Sequence, residues 1–171
     1  GRENLFWSTM RDAGWLSIAK WDRDPDRLAQ ICRQVEYDGP FELIFYCYYA
    51  FPTDYPDDIR KIFGKGYFEG VIEPESQDEF RKIIHETSVQ SVVAFNKEIF
   101  NLVAEDRIDV YIERLIDGEL IRSQLIGVDR SIPIFLTFPT GWRYHKQYRD
   151  LRRASLDKIR TAIQSSAQVS E

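Results

Sequence analysis

Cysteine, histidine and methionine are scarce in this 171-residue chain: two, two and one. Cys32 and Cys47 make no disulfide framework, and neither Cys nor His recurs at the spacing a structural metal needs. Both thiols are expected to be reduced and buried, and no metal or cofactor is implied. Apolar runs are short. None approaches the roughly 20 residues a helix needs to cross a bilayer. Nothing after Met10 has the form of a signal peptide, which leaves the cytoplasm as the default expectation and argues against a membrane partner.

Catalytic signatures are missing as well. His85-Glu86 is followed by Val89, not by a second histidine, so no zinc-protease motif forms. No G-x-S-x-G turn occurs. Gly64, Lys65 and Gly66 lack the spacing of a phosphate-binding P-loop. Pro56-Asp57 would open a metal-dependent nuclease site, but no later strand carries Glu-x-Lys. The carboxylates Asp54, Asp57, Asp58, Glu69, Glu73 and Glu113 are numerous, yet a carboxylate enzyme needs two or three of them to converge.

What is present is aromatic and charged: 14% Phe, Trp and Tyr, 30% charged residues, net charge −5. The charge is uneven. Residues 1–140 hold 16 Lys/Arg against 25 Asp/Glu, whereas residues 141–171 hold 7 against 3. Residues 1–9, opening on "GRENL", read as a leader left by an affinity tag, and 10–171 as a single α+β domain.

The pattern of elements predicts one mixed or mainly antiparallel sheet of about five strands, covered by three or four helices. Strands are expected at 14–20, at 41–51 as the apolar centre of the sheet, as a hairpin over 108–128 turning at Asp117-Gly118, and at 132–138. Pro133 places that last strand at a sheet edge. One helix is capped by Asp24, carries Pro25 in its first turn and stops before Gly39. Residues 64–74 read as a loop or edge strand. A capping box at Ser76 and Glu79 opens a helical stretch with a break near 87–91. The last helix runs from about Trp142 to Gln164.

"FPTDYP" after the apolar run resembles the turn of ubiquitin-conjugating enzymes. That family continues with His-Pro-Asn and a catalytic Cys. No His-Pro-Asn occurs here and no Cys follows Cys47, so conjugating activity is excluded. Strand-stop chemistry accounts for the stretch: Pro52 ends a strand and Pro56 opens a short helix with Asp57 and Asp58 at its positive end.

Two candidate sites remain. On a helical wheel Tyr144, Tyr148, Leu151, Ile159 and Ile163 form one stripe, and Lys146, Arg149, Arg153 and Arg160 lie opposite. This basic face fits an acidic protein partner, which makes the chain a non-enzymatic interaction or regulatory module, possible homo-oligomer included. With Trp142 and the tyrosines it also fits single-stranded nucleic acid, although the acidic body argues against that partner. The second site is the cluster Tyr46, Tyr48, Tyr55 and Asp57, which would serve a small-molecule-binding protein or enzyme.

Overall fold

The structure is a computed structural model describing residues 5–17, 27, 30–31, 33–49, 56–139 and 142–168, with side chains at all of these except 5, 142–147, 167 and 168. It is α+β, with a three-stranded mixed sheet in place of the expected five strands. The chain divides into two compact units, one of residues 1–44, 110–121 and 136–171 and one of residues 45–109 and 122–135.

In the first unit, helix α1 (Leu5–Asp12) packs on the C-terminal helix. It buries Ser8, Thr9, Met10 and Ala13. The helix ends on Gly14 at φ 72°, where the Gly14 amide donates to the Arg11 carbonyl and the Trp15 amide to Met10, both at 2.9 Å. This is a Schellman cap, satisfying carbonyls that the last turn would otherwise leave open. Trp15 is buried, and its indole Nε1 donates to the Leu156 carbonyl at 3.1 Å. Beyond it the expected strand at 14–20 reduces to a single bridge between Ser17 and Asp38, residues 18–20 lying outside the described residues.

Asp24 and Pro25 also lie outside the described residues, but Arg27, Gln30, Ile31 and Arg33 are helical. This helix ends at Arg33, six residues before Gly39. Val35 turns it at φ 52°, and the Glu36 amide returns to the Ile31 carbonyl at 3.0 Å. The cap is again of the Schellman kind, with a β-branched residue where glycine is favoured.

Residues 41–47 form no strand, and Ile44, Phe45 and Tyr46 are exposed. The hydrophobic run was expected at the sheet centre because it is apolar on both faces. Without neighbouring strands to satisfy its amides, composition alone does not make it one.

The hairpin over 108–128 is overturned too. Ile112–Ile116 is a helix that buries Leu115 and leaves Val110 and Ile116 exposed. Gly118 at φ 79° is its C-cap: its amide donates to Leu115 and that of Glu119 to Arg114. Asp-Gly marks a positive φ, and both a hairpin turn and a helix cap need one. The side chain of Arg114 clasps Glu119 across the same turn.

The C-terminal helix spans Trp142–Gln168 with non-helical Tyr148 (φ −120°, ψ 17°) inside it. Its buried face is Arg152, Ser155, Leu156 and Ile159 rather than a stripe through Leu151. Tyr148 stacks on Phe138 at 5.3 Å, and Thr137 and Ser155 share a hydroxyl hydrogen bond of 2.9 Å.

The second unit holds the sheet, ordered β1 (Val92–Ala94), β3 (Pro133–Leu136), β2 (Ile121–Gln124). Thus the strand that opens on Pro133 is central, not at the edge. Pro133 is its first residue, where a missing N–H is tolerated. Ile134, Phe135 and Leu136 are buried, as a central strand requires.

Helix α2 (Pro56–Phe63) follows, with Pro56 and Ile59 buried and Asp57 and Asp58 in its first turn. The next stretch, expected as loop or strand, is helical throughout: α3 (Lys65–Tyr67), a π-helical turn (Phe68–Ile72) and α4 (Glu73–Glu86). Phe68 and Ile72, four apart, are its buried residues in the π turn. Pro74 cannot donate to the carbonyl four residues back, and the π register absorbs that loss: the Glu73 amide donates to Phe68 instead. Ser76 and Glu79 are therefore interior to a helix already running, and no capping box forms. Helix α4 ends at Glu86, and the β-branched segment after it supplies β1.

Candidate functional site

The second unit carries a cleft of about 390 Å³ lined by Arg60, Glu73, Lys97, Glu98, Asn101, Leu102 and Arg107. Three elements build it. Helix α5 (Lys97–Val103) is anchored by buried Phe100 and Val103. It is started by Asn96, whose Oδ1 accepts from the amides of Glu98 at 2.8 Å and Ile99 at 3.3 Å. This N-cap sets Lys97 and Glu98 in the first turn, and Asn101 in the next. The Asn101 carboxamide uses one N–H and its oxygen on the same residue. It donates to the Ile108 carbonyl at 2.9 Å and accepts from the Ile108 amide at 2.8 Å. That clasp holds the loop bearing Arg107. Lys97 Nζ donates to the Asp109 carbonyl at 3.1 Å.

On the opposite wall Arg60 of α2 bonds Glu98 and also Asp57 Oδ1 at 3.0 Å. Its guanidinium lies over the Phe68 ring, 4.5 Å from the centroid. Cation and carboxylate here neutralise each other, so neither is spare for a ligand. Glu73 heads α4 directly after the π turn, half-buried and with no ion pair. Arg107 is exposed and also has no ion pair among the described residues.

Beside Glu73 lies a packed aromatic cluster. Tyr48 and Tyr49 meet edge-on, centroids 5.0 Å apart. Tyr48 also packs on Phe80 at 5.8 Å, and Tyr49 on Phe68 at 5.3 Å. Both hydroxyls are buried with no hydrogen-bond partner among the described residues. Burial, and after it the charge of Glu73, pushes the Tyr48 phenol up to about 12. The same two causes, in the same order, push Tyr49 higher still, and Glu98 adds to them.

The expected tyrosine site is thus partly assembled. Tyr48 belongs to the cluster. Tyr46 packs on Phe80 at 5.9 Å but is exposed. Asp57 is on the surface, tied to Arg60. Tyr55 lies outside the described residues. Glu73, Lys97 and Arg107 were not singled out as a set, because only the fold makes them converge. The cap signal at Asn96 could have located the start of α5.

The basic residues of the C-terminal helix are less uniform than their wheel predicts. Arg149 and Arg153 are exposed, at 3.6 Å from Asp12 and 3.9 Å from Asp150. Arg160 is half-buried and paired with Asp157 in its own helix. Lys146 has no described side chain. Arg152, absent from the expected basic face, is buried on this helix: it is 1% exposed, donates to the Pro139 carbonyl, and leaves Nε without a partner among the described residues. Burial alone pulls its guanidinium below the usual range.

Other expectations resolve individually. Cys47 is free and exposed rather than buried, and Cys32 lies outside the described residues. His85 is half-exposed, 3.5 Å from Asp129. No group of three His, Cys, Asp or Glu among the described residues could hold a metal, and no described helix is long and apolar enough to cross a membrane. No family model matches the sequence, and no curated protein and no solved structure matches it.

Proposed function

We propose that this chain is a small-molecule-binding protein whose ligand occupies the cleft between α2, the head of α4 and α5. One observation carries the reading: Glu73 and Arg107, of opposite charge and neither with an ion pair among the described residues, line the same cleft. Of the two only Glu73 is half-buried, Arg107 being exposed at the rim, and a concave site with a few uncommitted polar groups is the default location for a ligand. The volume of about 390 Å³ suits a small metabolite. An amide-resolved NMR titration with mixtures of polar metabolites tests this. Shifts should concentrate at Glu73 and over 97–107 and vanish in Arg107→Ala. Binding that leaves those amides unmoved, or that survives the substitution intact, overturns the reading.

A second reading keeps the basic helix. Arg149 and Arg153 stand one turn apart, with side chains 63% and 55% exposed, which favours docking of an acidic protein. Reversing both charges to Glu should remove that partner from a pull-down. An unchanged set of partners removes the idea.

A further inference from the structure

Counting which polar groups of the cleft are already committed narrows the ligand. The charge of Glu98 is paired with Arg60 through one oxygen, and neutral Asn101 gives one N–H and its oxygen to the two backbone groups of Ile108. What remains is one free carboxylate, Glu73, and a cationic pair: Arg107 with its whole guanidinium fork and Lys97 with the N–H groups not given to Asp109. A ligand that is only anionic would meet the cations and be repelled by Glu73. A diamine would meet Glu73 and be repelled by Lys97 and Arg107. Like-charge contacts of this kind reject a ligand as strongly as good contacts select one.

The charge of Glu73 reaches the phenols of Tyr48 and Tyr49, each 7% exposed and with no acceptor for its hydroxyl among the described residues.

We propose that the cleft takes a small amphoteric molecule of the amino-acid class, its ammonium against Glu73 and its carboxylate held by Arg107 and Lys97. This rests on the cleft being the ligand site. Arg107 supplies the planar fork that fits a carboxylate in two-point fashion, and Lys97 adds a point charge.

Three probes of equal chain length separate the possibilities: 5-aminovalerate, glutarate and 1,5-diaminopentane. Each is titrated into the full chain at low salt, with backbone amides of 97–107 and Glu73 as the readout. 5-Aminovalerate is expected to bind at least about tenfold more tightly than either rival, the difference a single charge contact of about 1.4 kcal/mol makes. Glu73→Gln should abolish its advantage over glutarate. Arg107→Gln should abolish its advantage over the diamine. Each variant must still bind the rival probe, glutarate for Glu73→Gln and 1,5-diaminopentane for Arg107→Gln, which an unfolded chain would not do. Glutarate binding as well as 5-aminovalerate to the unaltered protein, or an unchanged ratio in Glu73→Gln, overturns the proposal. If all three probes fail while a metabolite mixture still shifts the cleft, the amphoteric class is wrong and the site stands. If the mixture fails too, the site itself is wrong.

Discussion

Tyr48 and Tyr49, adjacent in sequence, turn their rings nearly perpendicular to each other, at 87°, and bury both hydroxyls without an acceptor. The rings stabilise the second unit through contacts with Phe68 and Phe80. The hydroxyls work against it, because a buried donor left unmade costs about 1–3 kcal/mol. Removing the oxygen while keeping the ring should therefore help. Tyr48→Phe and Tyr49→Phe are each expected to stabilise the protein by about 1 kcal/mol, read as a shift in urea midpoint at constant slope. A loss of stability from either would mean that the hydroxyl has a partner.

The same phenols predict an alkaline limit. Their pKa values in the folded state lie above the ordinary 10, Tyr48 at about 12 and Tyr49 higher, with burial the leading cause. Below pH 10 both are protonated, folded or unfolded, and the stability they allow is fully present. From pH 10 upward the unfolded chain loses those protons first, so stability falls as pH rises toward the folded values. Each phenol contributes a slope of up to about 1.4 kcal/mol per pH unit. Unfolding measured between pH 9 and 11.5 should show this decline, and the double Tyr→Phe variant should show a shallower one. Identical slopes would remove the two phenols as its source.

Val35 occupies the left-handed region at φ 52°, and the Glu36 amide closes the helix end onto Ile31. A β-branched side chain there costs roughly 1–2 kcal/mol relative to glycine, part of which glycine returns through its freer unfolded chain. Val35 is half exposed, so little packing is lost on replacement. Val35→Gly is expected to raise Tm by about 2 °C. Val35→Asn should follow it, since asparagine also tolerates this conformation. A drop in Tm for both would show that the exposed valine packs on something after all.

Arg152 sits on the core face of the C-terminal helix with a single acceptor, the Pro139 carbonyl. An uncompensated buried charge is expensive, and exchange of such groups for an apolar side chain of similar length has been neutral or stabilising by about 1–4 kcal/mol. Arg152→Met should accordingly stabilise the protein by about 1 kcal/mol after losing the Pro139 bond. Arg152→Ala should destabilise it by about 2–4 kcal/mol, because it leaves a cavity between Ser155, Leu156 and their neighbours. Calorimetric unfolding of the pair decides this. Equal destabilisation by both would show that the charge, not the volume, is what the core needs.

Several local features were legible in the residues alone. Pro56 with Asp57 and Asp58 opens a helix because its fixed φ suits a first turn and the carboxylates suit the helix N-terminus. The apolar run at 132–138 contains a strand. Gly118 has the positive φ that Asp-Gly announces. The errors share a cause. Asp-Gly, short apolar runs and β-branched clusters each satisfy two local solutions at similar cost, and the choice between them is made by partners far away in sequence. Thus 112–116 became helix, 41–47 stayed irregular, and 92–94 became a strand once β3 offered its edge.

The sequence by itself settled what depends on covalent geometry and nearest neighbours: where proline stops or starts an element, where glycine must turn, and that the final segment is helical. Tertiary structure alone decided which side chains share a cleft and which arginine is buried. A carboxylate at 73 and a guanidinium at 107 line one cleft although they lie on separate elements, and no spacing along the chain encodes that meeting. Likewise Arg152 shares a helical face with Ser155, Leu156 and Ile159 by spacing alone, but that this face, arginine included, is the one the core covers depends on what packs against it.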